Sequence, residues 1–372
     1  MTENSIPTAS SSQSGKAHYM VQLDALRAIA VFAVLFHHYL HKHVAIASNL
    51  HLGSLGVRLF FVLSGFLITQ VLLRCKELID SEEQSLKLTI YRFYIRRFLR
   101  LSPIYYLTIL LTTIVAFKII QPSLLWHLTY TSNIYFSFNE WDTVTAHFWS
   151  LSVEEQFYLF WPWVILFTPK RHLLKVMLLT TLVGPIFRLI CLMMGWSDSS
   201  LGYCFTFACL DSLGIGSILA FYTHYDYQHE KEILCTLAYW VGIPLFVALN
   251  VTSLPLMNNS VMSVMLYTVS SIVFFWLVDR AAKGFSGIVG KFLELKLLTY
   301  LGKISYGIYM FHLLVPMAVY KVFLRLGLPF PSSIWLQFAL YTGLTLAMAV
   351  ISWNLIEKPI NHLKKRFEYA GS

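Results

Sequence analysis

The sequence predicts an all-α polytopic membrane protein of about ten transmembrane helices, with both termini in the cytosol. Three observations carry that prediction. Of 372 residues, 57% are hydrophobic and 13% charged, against roughly 25% charged in a typical soluble domain, and the mean hydropathy is +0.62. The apolar residues gather into stretches of about 20, the length that crosses a hydrocarbon core of about 30 Å. Lysine and arginine concentrate in alternate loops, the asymmetry that sets orientation in a bilayer.

Residues 1–19 are polar and rich in Ser and Thr through Lys16, so a disordered cytosolic segment is expected there. No basic region leads into an early apolar core, which argues against a cleaved signal peptide. The expected spans centre on residues 25–42, 56–73, 99–118, 149–168, 174–194, 203–222, 233–251, 260–278, 301–322 and 334–356. Helices are the natural form for them, because lipid offers no partner to a backbone N–H or C=O. Residues 20–365 read as one transmembrane domain and 366–372 as a short cytosolic tail, with no further domain expected after the last span.

Orientation follows from the basic residues. With the N-terminus inside, cytosolic segments collect about 21 of them by the positive-inside rule. They include Arg74, Lys76, Lys87, Arg92, Arg96, Arg97 and Arg100 after the second span, then Lys170, Arg171 and Lys175 after the fourth. Opposite loops hold few, such as Lys42, Lys118 and Arg325. The net charge of +9 is thereby explained without nucleic acid, and no nucleic-acid partner is expected. Five cysteines without CxxC pairing favour neither a disulfide framework nor a zinc site, so no metal is expected. No internal repeat is visible.

Ionisable side chains inside spans are costly, which makes each a functional candidate. In LDALRAIAVFAVLFHHYLHKH, Arg27 and His38 are eleven residues apart. At helical spacing they lie about 20° apart on one face and about 16 Å apart along the axis. Arg27 thus falls near the cytosolic rim and His38 in the outer half; the plain alternative is a snorkelling anchor and an interfacial histidine. In FYIRRFLRLSPIYY, Arg97 and Arg100 share a face and suit the phosphates of an anionic cosubstrate, the alternative being a basic collar. In HFWSLSVEEQFYLFWPW, Ser150 and Glu154 share a face, and Glu154 is a candidate to orient or accept a proton unless the acidic pair is structural. In TYLGKISYGIYMFHLLVP, Ser305, Tyr309 and His312 fall within about 60° of one another. Asp211, Gly214 and Gly216 lie on the sixth span, where glycine permits close helix approach. Arg58 and Ser64 on the second span read as packing or pocket lining.

These residues resemble the acyltransferase-3 family of membrane proteins, which includes bacterial O-antigen acetyltransferases. LDALRAIAVFAVLFHH looks like the family's Arg-x10-His element, RRFLRLSP like its Arg-x-x-Arg, and FWSLSVEEQFYLFWP like its Ser-x-x-x-Glu. GVRLFFVLSGFLIT, ISYGIYMFH and the terminal IEKP resemble further family blocks, all in the expected order, so the likeness covers residues 20–365. Arg58 departs from it, standing where many members carry an acidic residue.

The resemblance implies transfer of an acyl group, acetyl foremost, from cytosolic acyl-coenzyme A to a hydroxyl of a cell-surface polysaccharide or lipid-linked glycan such as lipopolysaccharide O-antigen. The expected setting is a bacterial inner membrane, with membrane lipid, acyl-coenzyme A and the carbohydrate acceptor as partners and no permanently bound cofactor. Arg27, Arg97 and Arg100 would bind the coenzyme; His38, Glu154 and Ser150 would be catalytic. Glu154 would orient His38, and His312, Tyr309, Ser305 and Arg58 would line the substrate pocket. Direct transfer with His38 as general base and a relay through an acyl-histidine both remain open. From composition and spacing alone, a proton-coupled permease using the same Arg, His and Glu residues is the rival reading.

Overall fold

The computed structural model describes residues 19–40, 43–44, 50–196, 200–252 and 259–369, and among them all regular structure is helical. Expectations for residues 1–18, Lys42 and the last three residues of the tail lie outside the described residues. The bundle is built from α1 (Val21–Leu40), α2 (Leu52–Asp80), α3 (Leu86–Ile120), α4 (Phe148–Phe167), α5 (Lys170–Met193) and α6 (Thr206–His224). It continues with α7 (Gln228–Leu237), α8 (Ile243–Thr252), α9 (Asn259–Lys283), α10 (Ser305–Phe311), α11 (Leu314–Leu326) and α12 (Ile334–Ser352).

Among the described residues, eight helical segments are long and apolar enough to cross a membrane, or nine if α10 and α11 count as one bent span. Ten were expected. The difference is α4, a 20-residue helix at the expected place that is absent from the eight. Ser150, Ser152, Glu154, Glu155 and Gln156 give it too polar a composition, and Ser150 and Ser152 are buried inside the bundle. In the other direction, α3 has 35 residues with a kink at Ala116, and the stretch before the kink rises about 45 Å at the α-helical spacing. It outruns the hydrocarbon layer, and its first turns carry Arg92 and Arg96.

Several contacts define one end of the bundle, here the inner end. Gln22 at the start of α1 donates to the carbonyl of Phe285 at 3.0 Å. Lys76 late in α2 donates to the carbonyl of Leu166 at the end of α4 at 3.0 Å. Arg96 donates to the carbonyl of Phe367 at 3.2 Å, so the start of α1 and the C-terminal tail lie at the same end.

Two glycines set the close packing of α2 against α6. A Cβ on Gly65 would lie 2.0 Å from the Leu213 carbonyl oxygen, and one on Gly216 would lie 2.1 Å from that of Val62. Any side chain there would push the helices apart, as the small-residue reading of α6 anticipated.

The break between α10 and α11, a bend of 47°, has a local cause. Pro316 lacks an N–H and its ring crowds the carbonyl four residues back, that of His312. The carbonyl is satisfied instead by the Tyr39 hydroxyl of α1 at 2.7 Å. Helix α10 therefore ends with His312 buried in the bundle.

Candidate active site

A row of cavities runs from the inner end toward the outer. The first, about 500 Å³, is lined by Asp24, Arg27, Arg100, Lys303, Trp353 and Lys364 among others. It adjoins a deeper cavity of about 100 Å³ and shares Arg27, Arg100 and Ser305 with it. Arg97, Ser64, Ser150, Glu154 and Tyr309 also line the deep cavity. An outer cavity of about 410 Å³ follows, lined by His38, His147, Trp141 and Tyr203, and a fourth of about 310 Å³ adjoins it at His38. Among the described residues, Val57 and Tyr309 alone line both the deep and the outer cavity. Tyr309 is thus the polar septum between them.

The inner half is basic. Arg27 pairs with Asp24 one turn earlier at 2.5 Å, and the same carboxylate accepts from the Tyr19 hydroxyl. Burial, with the hydrogen bond to Asp24, holds the Tyr19 phenol well above its usual range, so it remains the donor. Arg97 and Arg100, three apart on α3, turn to the same cavity. The Arg97 guanidinium lies over the rings of Phe93 and Tyr158 at 5.8 and 5.7 Å, and its buried Nε has no hydrogen-bond partner among the described residues. Three guanidiniums together with Lys303 and Lys364 outnumber the Asp24, Glu154 and Glu357 carboxylates here. The local field favours an anion, and planar guanidiniums suit phosphate oxygens.

The outer half is built on imidazoles. His38 Nδ1 lies 3.1 Å from the Val34 carbonyl oxygen and 3.1 Å from His312 Nε2. His312 Nδ1 lies 2.5 Å from the Tyr309 carbonyl. Carbonyls only accept, so each Nδ1 carries its proton and His312 Nε2 receives the hydrogen bond from His38. This network assigns the basic lone pair of His38 to Nε2. His147, 4.8 Å ring to ring from His312, donates from Nε2 to the Met310 carbonyl at 3.2 Å. At the septum, the Tyr309 hydroxyl and Ser150 Oγ share a 2.6 Å hydrogen bond.

The structure therefore brings together most of the residues singled out from sequence. Arg27, Arg97, Arg100, Ser150, Glu154, Ser305 and Tyr309 all line the deep cavity, and His38 and His312 meet beyond it. Two placements differ from expectation. Glu154, expected beside His38, accepts instead from Ser64 Oγ at 2.7 Å within the deep cavity, and His312 holds the position at His38. Arg58, expected in the substrate pocket, is 1% exposed and faces α6. There it pairs with Asp211 at 3.4 Å, which also binds Arg188 at 2.6 Å. The reason is helical phase: Val57, Phe60, Ser64 and Leu67 form the cavity stripe of α2, and residue 58 lies off that stripe.

Sequence reasoning did not single out His147, Tyr158, Trp141 or Tyr203. His147 precedes Ser150 by three residues and Tyr158 follows Glu154 by four, so helical spacing from accepted residues pointed to both. Trp141 and Tyr203 arrive from loop and short-helix segments, where no period signals a shared wall.

Residues 20–354 match the acyltransferase-domain family Acyl_transf_3. The chain is 29% identical over 371 residues to the peptidoglycan O-acetyltransferase OatA of Listeria monocytogenes, covering 92% of this chain and 56% of the relative. It is 30% identical over 373 residues to the O-acetyltransferase OatA of Staphylococcus aureus, covering 94% of this chain and 58% of the relative. The chain thus spans a little over half the length of these curated relatives. No solved structure matches it.

Proposed function

This chain belongs to the acyltransferase-3 family, and on that premise we propose that it transfers an acetyl group from acyl-coenzyme A to a carbohydrate hydroxyl across the bundle. The observation that carries the reading is the row of cavities, with arginines at one end, the His38–His312 pair at the other and Tyr309 between them. The names of both relatives support acetyl as the group moved, and that of the Listeria relative supports a cell-wall glycan of the peptidoglycan type as the acceptor. The setting is then a bacterial cytoplasmic membrane, with the inner end in the cytosol.

In this mechanism Arg27, Arg97 and Arg100 hold the phosphates of the coenzyme. Its thioester arm extends along α1 toward Tyr309, over a distance like the roughly 16 Å rise between Arg27 and His38. The acceptor enters from the outer cavity. His38 Nε2 takes the proton of the acceptor hydroxyl while that oxygen attacks the thioester carbonyl. As the tetrahedral intermediate collapses the C–S bond breaks, and the departing sulfur takes the proton back from His38. The products are an O-acetyl ester and coenzyme A thiol. The Ser150 and Tyr309 hydroxyls at the septum, which bond each other and the His147 carbonyl, turn one donor from that carbonyl to the developing oxyanion. Glu154, held by Ser64, balances part of the arginine charge.

The test is coenzyme A thiol release by the reconstituted protein, with mass spectrometry of the glycan. The expected result is glycan-dependent release, with ester formation that His38→Ala lowers at least about 100-fold, the scale of a lost general base. Glycan uptake without thiol release, or a His38→Ala variant as active as the parent, would overturn the reading.

A further inference from the structure

The outer cavity has a lining that the transfer mechanism does not fully use. Its volume, about 410 Å³, falls within the range of about 300–1,000 Å³ common for small-molecule sites. Among the described residues no Asp, Glu, Lys or Arg lines it, a lining that suits a neutral ligand. One wall is aromatic: Trp141, Trp149 and Tyr203 meet with ring centroids 4.8 to 6.4 Å apart.

That wall is held rigid before any ligand arrives. Trp141 stacks on Phe136 at 4.9 Å with 5° between the planes, and its Nε1 donates to Ser200 Oγ at 2.6 Å. The Tyr203 hydroxyl shares a 3.1 Å hydrogen bond with Ser54. Trp141 is nevertheless 38% exposed, so its surface is accessible from the outer side.

A second observation points to a ligand. His147 is 2% exposed and lines this cavity. Its Nε2–H is committed to the Met310 carbonyl, which makes Nδ1 an acceptor, and that buried Nδ1 has no hydrogen-bond partner among the described residues. An unmatched buried acceptor is costly, and a ligand hydroxyl would relieve it. The adjoining cavity of about 310 Å³ meets this one at His38 and carries Asp142 and Thr143 on its wall.

We infer that the outer cavity is a subsite for a pyranose ring of an oligomeric glycan. The ring packs its C–H face on Trp141 and Tyr203, donates a hydroxyl to His147 Nδ1 and extends a neighbouring sugar past His38 into the adjoining lobe. A pyranose matches the lining because it is neutral, with apolar faces and a rim of hydroxyls. The two lobes flank His38, so a glycan fills both while a single sugar leaves one empty. This inference rests on the transfer reading above.

The test uses the full chain in liposomes with acetyl-coenzyme A and the N-acetylglucosamine monomer, dimer and trimer as acceptors. The expected result is a KM several-fold lower for the trimer than for the monomer. Trp141→Ala and Trp141→Leu should each raise the trimer KM roughly 10-fold, the scale of a lost aromatic contact, and Trp141→Phe should recover most of it. The acetyl-coenzyme A KM should remain that of a control, Phe160→Ala, which is 65% exposed on the outside of α4. If transfer proceeds with equal KM for monomer and trimer, or with no effect of Trp141→Leu, the subsite is wrong and the transfer reading stands. Acetyl-coenzyme A hydrolysis that no oligomer accelerates or inhibits likewise overturns the subsite. No turnover of acetyl-coenzyme A under any condition overturns the transfer reading itself.

Discussion

His312 Nε2 lies 3.1 Å from His38 Nδ1, although the two residues are 274 positions apart in the chain. The relation resembles the carboxylate–histidine contact of hydrolase triads, in which a buried partner fixes the imidazole tautomer. Here a neutral imidazole does the fixing, itself held by the Tyr309 carbonyl.

His312 is accordingly a positioning residue. His312→Phe should lower kcat roughly 10- to 100-fold, the scale seen when an orienting partner of a functional histidine is lost. His312→Gln, whose carbonyl can still accept from Nδ1, should recover a substantial part of that loss. Steady-state kinetics decide the matter: a change confined to the acetyl-coenzyme A KM, or equal losses in both variants, would count against the pairing.

The septum hydrogen bond predicts coupling. Ser150 and Tyr309 share one 2.6 Å contact, so Ser150→Ala and Tyr309→Phe each remove the same interaction. A double-mutant cycle on kcat/KM should show an interaction energy of about 0.5–3 kcal/mol. Additive losses would place the two hydroxyls in separate roles.

Donor binding should depend on the arginines of α3. Arg100 lines both inner cavities, and Arg100→Gln removes a charge without changing the helix. The acetyl-coenzyme A KM should rise roughly 10-fold or more, in line with a lost charge-assisted hydrogen bond. Raised salt should weaken the parent more than the variant, because Arg100 is an exposed residue. An unchanged KM would remove Arg100 from the donor site.

The Arg58–Asp211–Arg188 cluster predicts a stability effect separate from chemistry. Asp211 is fully buried between two guanidiniums. Asp211→Asn leaves both without their anion and should destabilise by about 3–5 kcal/mol. Thermal unfolding in detergent should show a clear fall in Tm, while kcat per folded molecule is preserved. A fall in kcat at unchanged Tm would instead connect the cluster to catalysis.

Much of this was legible in the sequence, for definite reasons. Lipid forces each span to satisfy its own backbone, so apolar length located the helices. Helical period then predicted that Arg97 and Arg100 share a face and that Ser305, Tyr309 and His312 lie together. The same reasoning placed a span at α4, a 20-residue helix that apolar composition alone does not single out, because Glu154, Glu155 and Gln156 lower its hydropathy while hydropathy cannot register side chains turned into a bundle. It also put Arg58 in the pocket, because a polar residue on a span looks alike whether it meets a cavity or an aspartate on the next helix.

Composition and period by themselves determined that the chain resides in a membrane and that basic residues cluster at alternate helix ends. They also set Arg27 and His38 on one face of α1. Only the tertiary structure decided which polar groups meet. That choice depends on how each helix is rotated against its neighbours, which Gly65 and Gly216 set by close contact between α2 and α6. It also depends on the proline-induced break that ends α10 at His312 and lets Tyr39 hold its carbonyl. For that reason the partner of His38 is an imidazole from the far end of the chain and not Glu154.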